Sequence, residues 1–521
     1  MDMPARLIAQ TYDHVPYESK PFPQSHPARL AARARLFGLT PPDVTASRVL
    51  ELGCAAGGNL IPMAAACPNA SFAGVDVSGA QVAAGRARIA RLGLANIELR
   101  QQSIADLTQR DGPFDFIICH GVYSWVPEQV RAAILRVAHD LLSERGVAYV
   151  SYNVFPGWRL RGVLREAMLF HIGGELDPAR KIALARDYLA KLAEITDAAS
   201  PYGQMLRQEA RALAGMGDYY LFHEFLEIDN EPCYVTDFLV RVRNARLEYL
   251  TDANLNVTIA ESFGEATGKL LRDLSGNTLD RMEQYIDFLT GRTFRQSLLV
   301  RGTQAASIQR QLSRDRMAGL FASARTAAAP GVEGATVFTD ANGRSLTTRS
   351  ANVCAALELL TAAYPQSRTP EDLARMAADS VQGDAGAAAA DIRDALFKMV
   401  LIGMADISTE ASAAADAVAV KPKATLLART DAQDGCAWTT NGRHEVVPLT
   451  IVMQVLLPLL DGTNDRATLE DALARAVADG RTILQRAGQT LTEPGELKAA
   501  GVEHVEAALT QLATAGLLVD A

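Results

Sequence analysis

Between residues 48 and 154, short apolar runs alternate with glycine-rich turns and alanine-rich segments of helical period. Apolar runs of this length, each followed by a helical pattern, predict a parallel sheet whose strands are joined by crossover helices. The five predicted strands are Arg48–Gly53, Ser71–Asp76, Ile97–Arg100, Phe114–Cys119 and Gly146–Tyr152. The first helix is expected from Asn59 to Cys67, and the second is expected to end near Gly93. The pattern therefore predicts an α/β domain in this part of the chain.

A different pattern begins at Leu160, where apolar side chains recur every three or four residues as far as Tyr220. This spacing predicts a set of helices inserted into the sheet domain as a cap. A further helix is expected to begin at Cys233, and two more strands are expected at Leu247–Leu250 and Thr293–Arg301. The sheet domain is therefore predicted to close at the end of this last run.

Two related helical units follow. In each, an Ala-Leu pair is followed, seven residues after the leucine, by a glycine and an apolar residue, at Ala395–Gly403 and Ala508–Gly516. A helix that ends at glycine and leads into a short strand is typical of the last helix and edge strand of a winged-helix module. The biased composition of Ser408–Ala424 predicts a linker between the two units. Acidic residues in their first helices favour contact with protein, or a homodimer contact, over contact with DNA: Glu371, Asp372, Glu470 and Asp471.

Composition narrows the class of protein. The 521 residues predict two to four domains, and 49% hydrophobic with 21% charged residues excludes a largely disordered chain. A net charge of -9 with scattered Lys and Arg gives no support to nucleic-acid binding. The six cysteines form no C-x-x-C pair, so neither disulfides nor a metal site are expected. The sequence shows neither a signal peptide nor an apolar run of about 20 residues, which predicts a cytoplasmic protein without a membrane span.

The segment Val49–Leu60 carries the clearest chemical signal, because a strand there ends in a glycine-rich turn that opens a helix. Such a turn lets a ligand approach bare backbone. Ala55 stands where a dinucleotide fingerprint needs its second glycine, which argues against NAD and FAD. Asp76 follows Gly53 by 23 residues and ends the second strand, where a carboxylate can accept both ribose hydroxyls of an adenosine.

With Ser103–Asp106 after the third strand and Phe114–Gly121 around the fourth, this pattern closely resembles class I S-adenosylmethionine-dependent methyltransferases over residues 48–152. The resemblance implies a Rossmann-like sheet domain and S-adenosylmethionine as cofactor. The positions that it implies for cofactor binding are Glu51, Gly53, Cys54, Ala55, Asn59, Asp76, Val77, Ser103, Ile104, Cys119 and His120. Asn59 could instead be a residue of the helix surface.

Among these positions, the resemblance implies that the turn at Gly53 faces the methionine part of the cofactor and that Asp76 holds the ribose. Val77 would pack on the adenine, and Ser103 and Ile104 would lie at the edge of that ring. Cys119 and His120 would close the site beside the sulfonium.

Three further segments resemble bacterial methyltransferases that carry a methyltransferase regulatory domain, a group that includes rickettsial-type protein lysine methyltransferases of outer-membrane proteins. These segments are Tyr12–Pro27, Tyr219–Glu227 and Glu283–Ser297. The resemblance implies a protein substrate whose lysine side chains accept the methyl group. This chain departs from the family at Ala56, where an acidic residue is usual, and so lacks any contact which that residue makes with the ammonium group of the cofactor.

Candidate catalytic residues follow the fourth strand. His120 is expected to act as a base or to position the acceptor, and Tyr123 and Trp125, with Ser124 between them, are expected to meet the acceptor. The alternative for these three is packing of the loop. Candidate substrate-binding residues lie in two places. The N-terminal segment, which is interpreted as a lid or as a surface strap, contributes Tyr12, His14, Tyr17 and His26. The end of the cap contributes Tyr219, Tyr220 and His223, for which the alternative is packing in the core of the cap itself.

The sequence thus predicts an α/β enzyme, with a Rossmann-like methyltransferase domain, a helical insertion and mainly helical winged-helix-like modules. The predicted limits are a lid or strap at 1–47, a cofactor-binding core at 48–159, a cap at 160–232, the rest of the sheet domain at 233–303, and modules at 304–410 and 425–521. The predicted activity is methyl transfer to protein lysine. The alternatives are a small-molecule O- or N-methyltransferase and, less favoured, a cofactor-sensing DNA-binding regulator.

Overall fold

A computed structural model describes residues 19–227, 229–381, 384–415, 417–486, 489–491 and 494–520. Seven strands form one sheet in the order β3-β2-β1-β4-β5-β7-β6. The strands are β1 Arg48–Leu52, β2 Ser71–Asp76, β3 Ile97–Gln101, β4 Phe114–Cys119, β5 Leu142–Asn153, β6 Leu247–Asp252 and β7 Phe294–Arg301. The first five are parallel, whereas β7 runs antiparallel to both β5 and β6. The predicted α/β class is confirmed, and β5 begins at Leu142, four residues before the predicted start.

Alternating side chains of each strand point to opposite faces of the sheet, and helices cover both faces. On one face, Ile117 and Cys119 pack with helices α4 and α9, while on the other face Phe116 and Ile118 pack with α1, α2 and α3. These helices are α1 Pro27–Leu36, α2 Leu60–Ala66, α3 Gly79–Leu92, α4 Glu128–Leu141 and α9 Val235–Asn244. The central strands β1 and β4 are therefore buried on both sides, whereas the edge strand β3 keeps exposed residues. In sheets of this kind ligands bind at the carboxyl ends of the strands.

Helix α1 differs from the predicted lid or surface strap. Pro27 occupies its first turn, the side chain of His26 accepts a hydrogen bond from the Ala28 amide, and most of the helix is buried. Leu30 and Leu36 have no exposed surface, because α1 lies between the sheet and the C-terminal helices. Residues 27–36 are thus a core helix, and their alanines permit this close packing on several sides.

The helical insertion forms its own small core around Leu164, Met168, Leu206 and Phe225. Its helices are α5 Gly157–Ile172, α6 Pro178–Ile195, α7 Pro201–Ala214 and α8 Asp218–Leu221, followed by a π-helical turn at Phe222–Leu226. The sheet domain then continues through α9 and helices α10 Glu265–Ser275 and α11 Leu279–Thr290.

The two C-terminal units are built differently. The first contains β8 Phe321–Ser323, β9 Ala327–Pro330, β10 Thr336–Thr339, β11 Ser345–Thr348, α12 Ala351–Ala363, α13 Pro370–Val381, α14 Ala385–Leu401 and β12 Asp406–Ser408. Its buried side chains, such as Leu360 and Leu396, belong to the same core as α1 and one face of the sheet. The core of this unit is therefore continuous with that of the sheet domain.

The second unit has a core of its own, which includes Leu456, Leu473 and Leu509. It contains β13 Lys423–Ala424, α15 Leu426–Gln433, β14 Trp438–Thr440, β15 Val446–Pro448, α16 Ile451–Leu456, α17 Arg466–Ala478, β16 Gln485–Arg486, β17 Gln489–Thr490, α18 Pro494–Thr514 and β18 Leu518–Val519. The predicted last helix and edge strand are present as α18 and β18, which pairs with β13. The limits of the predicted domains stay predictions.

Ion pairs attach this second unit to helix α3 of the sheet domain. Arg88 lies 2.6 Å from Asp431, and Arg91 lies 2.6 Å from Asp434.

Within the described ranges, no helix has the length and apolar character needed to cross a membrane.

Candidate active site

The glycine-rich turn after β1 is fixed by hydrogen bonds to β2. The amides of Gly53 and Cys54 both donate to the carbonyl of Val75, at 2.9 and 3.1 Å. Gly53 has a φ of +73°, and a Cβ atom there would lie 2.5 Å from Cγ2 of Val122. The turn thus needs glycine both for its backbone conformation and for its contact with the loop after β4.

Asp76 at the end of β2 holds the same turn. One of its carboxylate oxygens accepts from the Ala55 amide at 2.8 Å, and the other accepts from the Ser78 amide at 2.9 Å. Both bonds come from backbone amides, so they fix the orientation of the carboxylate at the carboxyl end of β2. The structure therefore places the predicted ribose ligand beside the predicted methionine-binding turn.

The remaining predicted cofactor residues lie on the same edge of the sheet. Val77 follows β2, and its carbonyl accepts from the Gln101 side chain at 3.2 Å. Ser103 caps the 3-10 turn Ile104–Asp106 through a bond from the Ala105 amide at 3.3 Å. Because β1 and β4 are neighbours in the sheet while their connections leave in opposite directions, this edge is the topological switch point where α/β sheets bind ligands.

Glu51 is the most unusual group at this edge. Its side chain is 3% exposed, Oε1 accepts from Asn59 Nδ2 at 2.7 Å, and Oε2 has no hydrogen-bond partner among the described residues. Burial raises the pKa of Glu51 to about 8. Burial also raises the pKa of the Cys54 and Cys119 thiols, which keeps them protonated. A buried carboxyl oxygen without a partner is costly, and a cationic ligand group would satisfy it.

Asn59 is buried and joins three parts of the chain, so it is not a residue of the helix surface. Its Nδ2 donates to Glu51 Oε1 and to Ser25 Oγ, the latter at 3.1 Å. Its Oδ1 accepts from the Phe22 amide at 2.8 Å and lies 2.8 Å from Nε2 of His444, in the second C-terminal unit. The Asn59 amide therefore has a partner within the protein for each of its two donors and two acceptor sites.

His120, after β4, lies in an aromatic cluster. Its Nδ1 is 2.8 Å from the Tyr149 hydroxyl, and its ring centroid is 3.7 Å from that of Phe22. The Phe294 ring meets it edge-on at 5.9 Å. Burial lowers the pKa of His120 to about 3, so the imidazole is neutral at pH 7. A neutral, enclosed imidazole is better suited to orienting an acceptor than to holding its proton.

Tyr123 and Trp125 do not join this cluster. The Tyr123 ring is 1% exposed, packs edge-on against Phe238, and lines a cavity of about 500 Å³ between α4 and α9 together with Arg131 and Arg241. None of the predicted cofactor residues lines that cavity. Trp125 packs edge-on against Trp158 of the cap at 6.0 Å. The geometry thus agrees with the alternative of loop packing for both residues.

The predicted substrate-binding residues are dispersed. Tyr12, His14 and Tyr17 lie outside the described residues. His26 caps α1, and its ring lies 5.2 Å from that of His444. Burial lowers the pKa of His26 to about 4.

The three candidates on the cap differ from one another. The His223 ring is buried in the cap core, 2.8 Å from Glu227 Oε1, as the alternative predicted. Tyr220 is partly buried, and burial raises the pKa of its hydroxyl. Tyr219 meets the N-terminal segment, because the ammonium of Lys20 lies 5.5 Å from its ring centroid and 3.5 Å from its hydroxyl.

Phe22, Tyr149 and His444 are site residues that the sequence did not indicate. Phe22 and Tyr149 flank His120, and His444 contacts Asn59 across 385 positions of the chain. No local pattern marks such distant pairs. The one sequence signal for the region around Phe22 was the resemblance of the aromatic segment Tyr12–Pro27 to the methyltransferase family.

Comparisons with known proteins agree with this geometry. Residues 49–146 match a methyltransferase domain, residues 217–301 a predicted methyltransferase regulatory domain, and residues 421–517 a PKMT C-terminal winged helix domain. The chain is 33% identical to protein RP789 of Rickettsia prowazekii over 504 residues, which cover 94% of this chain and 90% of that protein.

The chain belongs to the class I S-adenosylmethionine-dependent methyltransferases that carry a methyltransferase regulatory domain. The methyltransferase is also similar to PKMT2 of Rickettsia typhi, with a TM-score of 0.87 and 27% identity over 97% of this chain and 100% of that one. PKMT2 has been solved in complex with AdoHcy as well. S-adenosylmethionine is therefore the cofactor of this methyltransferase.

The residues present fit that cofactor. The sulfonium and ammonium of S-adenosylmethionine carry positive charge, and the unpartnered Oε2 of Glu51 is a buried acceptor on the same edge as Asp76. Burial raises the pKa of Glu51, and the charge of Asp76 raises it further.

Proposed function

We propose that this methyltransferase transfers methyl groups from S-adenosylmethionine to lysine side chains of a protein. The observation that carries the proposal is the ammonium of Lys20 at the hydroxyl edge of the Tyr219 ring, 3.5 Å from the hydroxyl and 5.5 Å from the ring centroid. A tyrosine that contacts one ammonium through its hydroxyl and ring edge can contact the ammonium of a substrate lysine in the same way. The similarity to PKMT2, whose name denotes a protein lysine methyltransferase, supports the same class of acceptor.

The position of Lys20 connects this ammonium site with the cofactor edge. Ser19 accepts a hydrogen bond from the Gly58 amide at 2.7 Å, and the Phe22 ring packs against His120. Lys20 lies between these two anchors. A lysine that enters along the same surface would reach the end of β4, where His120 stands.

When bound, the cofactor supplies an electrophilic methyl group on a sulfonium. In the proposal, Glu51 pairs with the cationic end of the cofactor, and Asp76 accepts from its ribose. Phe22, His120 and Tyr149 orient the acceptor amine and exclude water, since methyl transfer depends mainly on alignment. Freeing the lone pair of a lysine at pH 7 costs about 4 to 5 kcal/mol from its pKa of about 10.4, and an apolar, aromatic surface lowers that cost by disfavouring the ammonium form.

The test is to incubate the enzyme with methyl-tritiated S-adenosylmethionine and lysate of its own cell. Protein is then separated from small molecules, hydrolysed in acid and resolved into amino acids. The proposal predicts label in methylated lysine, and predicts that acetylating the lysines of the lysate beforehand removes it. Label in the small-molecule fraction would indicate instead a small-molecule O- or N-methyltransferase. Salt-sensitive binding of DNA without any methyl transfer would indicate a regulator.

A matched pair of variants connects the activity to the ammonium site. Tyr219→Phe removes the hydroxyl and keeps the ring, and Tyr219→Ala removes both. We expect the alanine variant to raise the KM for the protein acceptor by up to about tenfold, since about 0.5 to 2 kcal/mol is typical for contact of a cation with an aromatic side chain. The phenylalanine variant should lie between the alanine variant and the unmodified enzyme, because it lacks the hydroxyl acceptor. Equal activity of both variants and the unmodified enzyme would contradict this role for Tyr219.

A further inference from the structure

The side-chain amide of Asn59 is the meeting point of the cofactor edge, the N-terminal segment and the second C-terminal unit. Its partners are Glu51 of β1, Phe22 and Ser25 before α1, and His444 between β14 and β15. Asn59 and His444 are 2% and 4% exposed, so solvent does not compete for these bonds. The junction therefore depends on the protein groups themselves.

The direction of each hydrogen bond can be assigned. The Phe22 amide can only donate, so the Asn59 atom that it contacts at 2.8 Å is the carbonyl oxygen. His444 Nε2 contacts the same oxygen and must therefore donate a proton to it. Burial lowers the pKa of His444 well below its ordinary value, which leaves the ring neutral with its proton on Nε2. Nδ2 of Asn59 is then directed at Glu51 and Ser25.

The turn that carries His444 is held firmly in place. Arg443 contacts Asp406 and Glu445, both at 3.2 Å, and its carbonyl accepts from Arg29 of α1 at 3.3 Å. His444 itself has a φ of +62°, a conformation that L side chains rarely adopt. Surrounding contacts must impose such a conformation, and it is often found where a side chain has a specific task.

We propose that His444 is a positioning residue for the cofactor site, through which the second C-terminal unit fixes the side-chain orientation of Asn59. In that orientation Asn59 donates to Glu51, which leaves Glu51 Oε2 for the cofactor. It also holds the Phe22 amide, which keeps the Phe22 ring against His120. Through His444, the second C-terminal unit therefore contributes to the geometry of the cofactor site. The proposal rests on the cofactor and is independent of the nature of the acceptor.

The first test is calorimetric titration of AdoHcy into His444 variants of the full chain, with thermal melting of each ligand-free protein. His444→Phe fills the space without a donor, and His444→Gln restores a donor of similar reach. We expect the phenylalanine variant to raise the Kd of AdoHcy on the order of tenfold, because it leaves a buried acceptor of Asn59 without its partner. The glutamine variant should recover most of the affinity.

The matched control is Arg91→Ala, which removes the ion pair with Asp434 at the same domain interface but lies away from Asn59. We expect its AdoHcy affinity to match that of the unmodified protein. An equal loss of affinity in Arg91→Ala and His444→Phe would overturn the proposal in favour of general docking. Unchanged affinity in His444→Phe would overturn it as well.

The second test needs no variant, so a failure of the variants to fold does not affect it. Coupling between two sites is reciprocal, so a ligand at the cofactor edge must stabilise the turn that supports it. We expect AdoHcy to slow hydrogen–deuterium exchange at residues 438–448 of the unmodified protein. Residues 466–478 of the same unit, which hold none of the hydrogen-bond partners of Asn59, should stay unchanged. Equal exchange at 438–448 with and without AdoHcy would overturn the proposal.

Discussion

Replacement of Glu51 by glutamine tests how this methyltransferase holds the charged end of its cofactor. The carboxyl is 3% exposed, Oε2 has no partner among the described residues, and burial raises its pKa from 4.5 to about 8. With that pKa, about nine-tenths of the ligand-free molecules carry the proton at pH 7. Binding of an ammonium group beside Oε2 favours the ionised form, so cofactor binding should release up to about 0.9 proton.

The same pKa determines how stability depends on pH. Between pH 4.5 and 8 the folded protein keeps a proton that the unfolded chain has released, so the free energy of unfolding falls as the pH rises. From pH 4.5 to 7 this contribution amounts to about 3 kcal/mol, at 1.36 kcal/mol for each pH unit. The Glu51→Gln variant has no such proton, and its free energy of unfolding should lack this slope.

Calorimetry of AdoHcy binding in two buffers of different ionisation enthalpy measures the proton release directly. We expect buffer-dependent heats for the unmodified enzyme, buffer-independent heats for Glu51→Gln, and a Kd raised about 10- to 100-fold in the variant, as for the loss of a charged hydrogen bond. Glu98→Gln, at an exposed carboxyl of β3, is the control and should behave as the unmodified enzyme. Equal heats in both buffers at pH 7, or full affinity in Glu51→Gln, would refute the role assigned to Glu51.

Three further predictions concern the turn, the aromatic cluster and the ammonium site. Gly53→Ala should abolish AdoHcy binding in a titration, because residue 53 has a φ of +73° and the added Cβ would lie 2.5 Å from Val122. The control Gly93→Ala has a similar φ of +64° but no atom within 4 Å of its Cβ, so this variant should bind AdoHcy normally. His120→Gln should lower kcat without changing the shape of the pH profile of kcat between pH 5 and 8, because the pKa of His120 is lowered to about 3. If the variant lost an ionisation near pH 6.5 that the unmodified enzyme shows, this prediction would be wrong. Tyr219→Ala should leave the Kd of AdoHcy unchanged while it raises the KM of the protein acceptor, and a weaker binding of AdoHcy would move Tyr219 into the cofactor site.

The sheet and the cofactor edge could be predicted from the sequence because their signals are local. The run Arg48–Leu52 with the turn at Gly53 shows a buried strand followed by bare backbone, and the carboxylate of Asp76 ends the next strand. These features depend on residues a few positions apart. Period and turn chemistry alone therefore specify them.

The parts that could not be predicted depend on contacts between distant segments. Helix α1 is buried on several sides because both the sheet and the first C-terminal unit pack against it, and His444 meets Asn59 across 385 positions. The side-chain direction of Tyr123 is likewise decided by packing against Phe238 of α9. Hydrophobic period shows that such residues are apolar or buried but does not show which neighbour they meet.

A crystal structure of the enzyme with AdoHcy tests the central claim most directly, namely that the cofactor binds where β1, β2 and β4 end. We expect the ribose hydroxyls within hydrogen-bond distance of the Asp76 carboxylate and the ammonium beside Glu51 Oε2. AdoHcy bound away from the Gly53 turn, or at the turn with its ribose remote from Asp76 and its ammonium remote from Glu51, would contradict it.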